Sequence, residues 1–241
     1  MALRTAAAFA ADGCLIKPLL LRFFQDQGID FSFTLDITQS KDRPPDGWFH
    51  SSSHPSMTED QLVAYLSMPP QPEETTYVGT MSRLFGTVVG DVIQAALAHM
   101  GIMVPLPPGN CVACGLPRRG KVRCKEHGAI DMATHSRGHL DGIVSLGQDG
   151  VRGLDVKTIK MWGKYGIKDA PDMDLDFFRE NWPKYYAQGQ DYMRMTGLRQ
   201  FIVFFMALGN PWEMREYHFD FDPAFALGIE TRYKKALRRA A

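Results

Sequence analysis

With 241 residues, 45% hydrophobic and 22% charged, the chain can bury a core, and its composition is ordinary for one globular domain with insertions. A formal net charge of zero excludes a protein that coats nucleic acid nonspecifically, although basic residues gathered on one face stay compatible with such a substrate. No apolar run approaches the roughly 20 residues that span a bilayer, so the expectation is a cytoplasmic chain with no membrane partner.

The opening residues hold one arginine and an alanine run, a faint likeness to a targeting peptide that Asp12 interrupts. An N-terminal helix is expected instead. The stretch CLIKPLLLRFF, beginning at Cys14, predicts a helix packed on the core. Ser40 to Pro55 is rich in turn formers and reads as a loop, with Trp48 and Phe49 as anchors or as rings to stack on a base. Thr58 and Gln61 form a capping box that opens a helix to about Leu66, and Pro69, Pro70 and Pro72 stop it. From Met81 to Met100, apolar residues at helical spacing predict a buried helix.

The next segment carries Cys111, Cys114, Cys124 and His127 in the pattern Cys-x2-Cys-x9-Cys-x2-His. Two close pairs of soft ligands suit a closed tetrahedral zinc site, in a reducing compartment where disulfides are rare. Residues 109–128 are therefore read as a zinc-binding insertion. Cys14 sits beside an apolar run and is expected to pack in the core.

Gly138 to Ile159, GHLDGIVSLGQDGVRGLDVKTI, reads as two strands joined by a tight turn at Asp149-Gly150. Alternation puts His139, Asp141, Ile143 and Ser145 on one face of the first strand, and Asp155, Lys157 and Ile159 together on the second. Lys160 to Asn181 has weak periodicity and reads as a mobile flap. Pro183 suits the first turn of a helix and Gly197 the residue beyond its end; Gln188 and Tyr192, four apart, share one face of it. Phe201 to Leu208 predicts a strand covered on both faces, Glu216 to Asp222 an edge strand, and Asp222-Pro223 the start of a last helix whose basic end suits the helix dipole.

Two carboxylates and a lysine converging on one spot are costly to a fold but useful around a divalent cation and a phosphate. Hard cations take oxygen ligands, one or two of them carboxylates, and a nearby ammonium orients water and offsets growing charge. The ordered set GHLDG (Asp141), LDVKT (Asp155, Lys157) and QGQDY (Gln188, Tyr192) resembles the PD-(D/E)XK nuclease superfamily. Within it, the likeness is to the RecB-like exonucleases of phages and CRISPR adaptation loci, over roughly residues 81–207. The resemblance implies an α/β restriction-endonuclease-like core, a mixed sheet flanked by helices, over 81–241, with the metal-binding loop inserted and residues 1–80 packed on it.

It further implies hydrolysis of DNA phosphodiesters with Mg2+ or Mn2+ held by Asp141, Asp155 and the Val156 carbonyl. Lys157 would place the attacking water; Gln188 and Tyr192 would hold the strand or order the lysine; DNA, and a phage recombination or replication protein, would be partners. Many of these relatives carry an iron–sulfur cluster, which here would use Cys14, Cys111, Cys114 and Cys124. The three clustered cysteines lie before the nuclease motifs instead of after them, so zinc and cluster compete. The chain also departs from the pattern at Gly-Thr-x-x-His, where Gly86-Thr87-Val88-Val89 is followed by Gly90. Asp91, Gln94 or His139 are the candidate substitutes for the lost histidine, the remaining expectation being a weakened metal site that still turns over with Mn2+, and a mid-helix glycine points to close backbone packing. A nuclease-like fold that binds without cutting is the reading of a different class.

Overall fold

The computed structural model of the protein describes residues 13–26, 47–67, 77–104, 129–163, 166–208 and 210–241. The metal-ligand candidates Cys111, Cys114, Cys124 and His127 lie outside them. Six helices are described, α1 (Ile16–Asp26), α2 (Glu59–Ser67), α3 (Tyr77–His99), α4 (Leu175–Asn181), α5 (Pro183–Thr196) and α6 (Pro223–Ala240). The strands are β1 (Phe49–His50), β2 (Met103–Val104), β3 (Ala129–Asp131), β4 (Ser136–Gly138), β5 (Gly142–Ser145), β6 (Val151–Lys160), β7 (Gln200–Leu208) and β8 (Asn210–Asp220). The architecture is mixed α/β, sheets flanked by helices.

A five-stranded sheet runs β2-β5-β6-β7-β8. The pair β6–β7 is parallel and the other pairs are antiparallel, so the chain crosses from β6 to β7 through α4 and α5, as a parallel pair requires. The apolar run of β7 is buried on both faces, with Phe201 to Phe205 all inaccessible. One face packs on α4 and α5 through Ile159, Phe178, Trp182, Phe205 and Tyr217. The other packs on α1 and α3 through Leu20, Ile93, Leu97, Leu154 and Phe204. A second, three-stranded sheet, β1-β4-β3, has no counterpart in the sequence reading. Its strands are two or three residues long, too short to show a period.

Several elements differ from expectation. The first strand of the hairpin begins only at Gly142, so His139 and Asp141 precede β5 instead of lying on it. The Asp149-Gly150 turn is a longer connection with a 3-10 turn over Gly147–Asp149, both Gly147 and Gly150 taking positive φ. The segment after β6, expected as a flap or a loop near the site, is tied to β8 and partly helical where it is described. Tyr217 donates to the Pro171 carbonyl, Met173 N–H to the Glu216 carbonyl, and residues 175–181 form a helix capped by Asp174. Charge density hid its periodicity, because its apolar anchors are widely spaced. Helix α3 is buried on one face only, and Phe85 is exposed.

The punctuation was easier to read. Thr58 and Gln61 exchange the two capping-box hydrogen bonds, Pro183 opens α5, Gly197 closes it in the left-handed region, and Asp222 caps α6. Trp48 stacks on His135 and Phe49 on Tyr233, both as anchors. Cys14 is buried. At the basic end of α6, Lys234 pairs with Glu230 and Arg239 with Glu59 and Asp60, so those charges already serve neighbours. Among the described residues no helix is long and apolar enough to cross a membrane.

Candidate active site

Asp155 sits mid-strand on β6, paired in register with Val203 of β7, and its side chain is almost inaccessible. Alternation along the strand puts Lys157 on the same face, and its Nζ lies 2.8 Å from Asp155 Oδ2. The contact is a buried ion pair, and the ammonium is that oxygen's partner. Asp141 reaches in from the turn before β5, and its Oδ2 accepts from Val156 N–H at 2.6 Å. Asp141 thus joins Asp155 and Lys157 of β6 around one peptide, that of Asp155–Val156. Behind Lys157, the Tyr185 ring of α5 stands 5.7 Å from its Nζ.

The electrostatics follow from burial of like charges. Burial and then the negative charge of Asp155 push the Asp141 carboxyl up to about 7, against the pull of Lys157 and the Val156 N–H. Asp155 is raised by burial, only partly offset by Lys157. Burial pulls the other way on Lys157, but Asp155 and then Asp141 outweigh it and hold the ammonium charged. The cluster has more acid than one lysine neutralises.

Gln188 and Tyr192 are both buried on α5. Gln188 Nε2 donates to the Tyr192 hydroxyl at 3.2 Å, which donates to the His139 carbonyl at 2.6 Å. Burial, then the charge of Asp155, keeps that phenol protonated. The pair therefore grips the turn that delivers Asp141. The His139 side chain is exposed. Gly138 makes the grip possible, because a Cβ there would lie 2.4 Å from the Tyr192 ring.

Sequence reasoning missed a polar network one turn along α5. Arg194 donates to Asp191, Asp131 and Ser136, and Asp191 also accepts from Ser51 Oγ at 2.7 Å. The ion pairs of Arg194 with Asp191 and Asp131 tie α5 to the three-stranded sheet. The spacing of Asp191 and Arg194, three apart on a helix, was the available signal. Tyr185 was likewise readable, three residues before Gln188 on the same helix.

The metal donors that converge here are the two carboxylates. Among the described residues, no group of three His, Cys, Asp or Glu side chains comes together. The chemistry fits a hard cation: two buried carboxyls share one ammonium, and among the described residues no soft ligand joins them. On α3, Gly90 is not held by close packing, since a Cβ there would meet only Gln94 Nε2 at 3.8 Å. Gly86 has the close approach instead, with Thr158 Oγ1 at 3.0 Å from the same ideal position.

Against solved structures the chain is similar to an alkaline exonuclease. That protein is LHK-Exo from Laribacter hongkongensis, at 15% identity and a TM-score of 0.44, covering 80% of this chain and 88% of that one. Its complex with dAMP gives 14% identity and a TM-score of 0.44 over 81% and 89%. SSO0001 gives 12% identity and a TM-score of 0.42 over 95% and 89%. No protein-family model and no curated protein matches the chain.

Proposed function

We propose that the protein is a divalent-metal-dependent nuclease that hydrolyses DNA phosphodiesters, working as an exonuclease on single strands or free ends. One observation carries the reading: Asp141, Asp155 and Lys157 converge around one peptide, two buried carboxyls facing a single ammonium. Asp141, Asp155 and the Val156 carbonyl would hold Mg2+ or Mn2+. Such an ion, when bound, supplies Lewis-acid polarisation of the phosphoryl oxygen.

The remaining work belongs to the chain's own groups. The Lys157 ammonium, kept charged by Asp155, orients the attacking water and offsets charge growing on the phosphate. Tyr192, backed by Gln188, fixes the His139 carbonyl and with it the approach of Asp141. These two are positioning residues, since both are buried away from any strand of DNA. Asp91, Gln94 and His139 stay the candidates for the histidine missing at position 90; the His139 side chain is exposed and does not gather with the two carboxylates. The setting that suits this activity is phage-type recombination, replication or repair in a cytoplasm, alongside a phage partner protein.

The test is incubation of labelled single- and double-stranded DNA with Mn2+, comparing wild type with Asp155→Ala and Lys157→Ala. Each variant should lose at least about 100-fold in rate while keeping its circular dichroism spectrum. Full activity in a well-folded Asp155→Ala protein overturns the assignment. Gly90 favours a second reading, a nuclease-like fold that binds DNA or a protein without cutting, and a wild type that retains DNA yet leaves it intact selects it. The zinc reading of Cys111, Cys114, Cys124 and His127 rests on spacing. One zinc per purified chain is its expected result, and iron lost in Cys14→Ser would replace it with the cluster.

A further inference from the structure

Beyond the end of β6 the chain leaves the sheet through Met161 and Trp162. Trp162 is 60% exposed, a rare state for the largest side chain. It lines a cleft of about 160 Å3 whose other walls include Met161, Phe177, Lys168 and Asp169. Lys168 Nζ stands over the indole at 3.7 Å, close enough to hold the ring's orientation through a cation–π contact. Met161 and Phe177 belong to the same apolar cluster as Ile159, which shares its strand face with Asp155 and Lys157. The cleft's apolar walls thus pack on the sheet face that carries Asp155 and Lys157. Four residues separate Trp162 from Lys157, at most about 18 Å of extended chain.

A flat ring held in place, a cation beside it, an apolar floor and a small volume suit one planar heteroaromatic group. The cleft is smaller than the ~300–1,000 Å3 typical of drug-sized pockets, so it takes a ring and not a folded chain. Asp169, next to Lys168, disfavours a phosphate inside the cleft and leaves the backbone to run along its rim. Every base has a π-face, so stacking of this kind tolerates sequence. We propose that Trp162, braced by Lys168, is a stacking platform for an unpaired nucleobase of the substrate strand, a few nucleotides from the carboxylate pair. The proposal rests on the nuclease reading above and adds where the strand is gripped.

The experiment measures binding of a short fluorescent oligothymidylate in EDTA, which prevents cleavage, together with quenching of tryptophan emission. Wild type, Trp162→Ala, Trp162→Phe and Lys168→Ala are compared, with dTMP as competitor. Trp162→Ala should bind about 5- to 150-fold more weakly, the span of one base stacked on an aromatic ring. Trp162→Phe should recover most of that loss, and Lys168→Ala should fall between. Quenching present in wild type should vanish in both Trp162 variants. Unchanged binding and quenching in a folded Trp162→Ala overturns the platform, whatever the fate of the nuclease reading. Trp162-dependent binding by a wild type that never cuts DNA supports the platform and sinks the nuclease. If dTMP competes as tightly as the oligonucleotide does, the occupant is a free mononucleotide and the strand assignment is wrong.

Discussion

At neutral pH the carboxyls of Asp141 and Asp155 compete for a single lysine, and burial makes that competition expensive. In the unfolded chain Asp141 binds its proton only below about 4, whereas in the folded chain it does so up to about 7. Between these values the folded state holds the extra proton, so stability is greatest below about pH 4 on this account and is lost as pH rises to 7. The effect is on the order of a few kcal/mol. Thermal unfolding in EDTA should therefore shift downward between pH 5 and pH 8, and Asp141→Asn, which keeps an acceptor for Val156 N–H, should flatten that slope. Adding Mn2+ at pH 8 should restore much of the loss, because a cation that binds the native state alone stabilises it. An EDTA melting temperature independent of pH, with no response to Mn2+, would contradict the unmatched carboxylate.

Helix α5 links chemistry to scaffold in two successive turns. Its Gln188–Tyr192 pair holds the turn before β5, and its Asp191–Arg194 pair holds β3 and β4. Tyr192→Phe removes one buried hydrogen-bonding hydroxyl, a loss of about 1–3 kcal/mol where the partners stay unsatisfied. It should cost more in kcat than in KM, since Asp141 is misaligned while the DNA contact surface is untouched; equal kcat in a folded Tyr192→Phe would remove its positioning role. Arg194→Ala is the harsher change. It leaves Asp191 fully buried with only Ser51 to answer it, and breaking a buried pair in this way costs roughly 3–5 kcal/mol. Urea denaturation should register that loss, and Asp191→Asn in the same background should recover part of it.

Across the whole molecule, what was legible was what carries a local signal. Proline and glycine punctuation set the limits of α5, the capping box that of α2, and an unbroken apolar run gave β7. The Asp155–Lys157 pair was legible because β6 obeys strict alternation, whereas Asp141 comes from the turn before β5. The three-stranded sheet was not, because β1, β3 and β4 are defined by partners distant in sequence and too short for a period. Nor was the anchoring of residues 166–174 on β8, which rests on backbone carbonyls that no side-chain pattern announces. The glycine at position 90 shows the same limit. In sequence it asked for close packing, yet the close approach belongs to Gly86, and a Cβ at the buried position 90 would meet only Gln94 Nε2, at 3.8 Å, among the described residues. Gly90→His should therefore fold, and replacing a helix-interior glycine should even add a few tenths of a kcal/mol. If α3 is where the third metal ligand belongs, the variant should need about tenfold less Mn2+ for half-maximal cleavage. Titrating Mn2+ against rate for wild type, Gly90→His and His139→Ala distinguishes the ligand's source. A folded Gly90→His no better than wild type, beside an inactive His139→Ala, would move the third ligand to the turn before β5, where Tyr192 already fixes the backbone of His139.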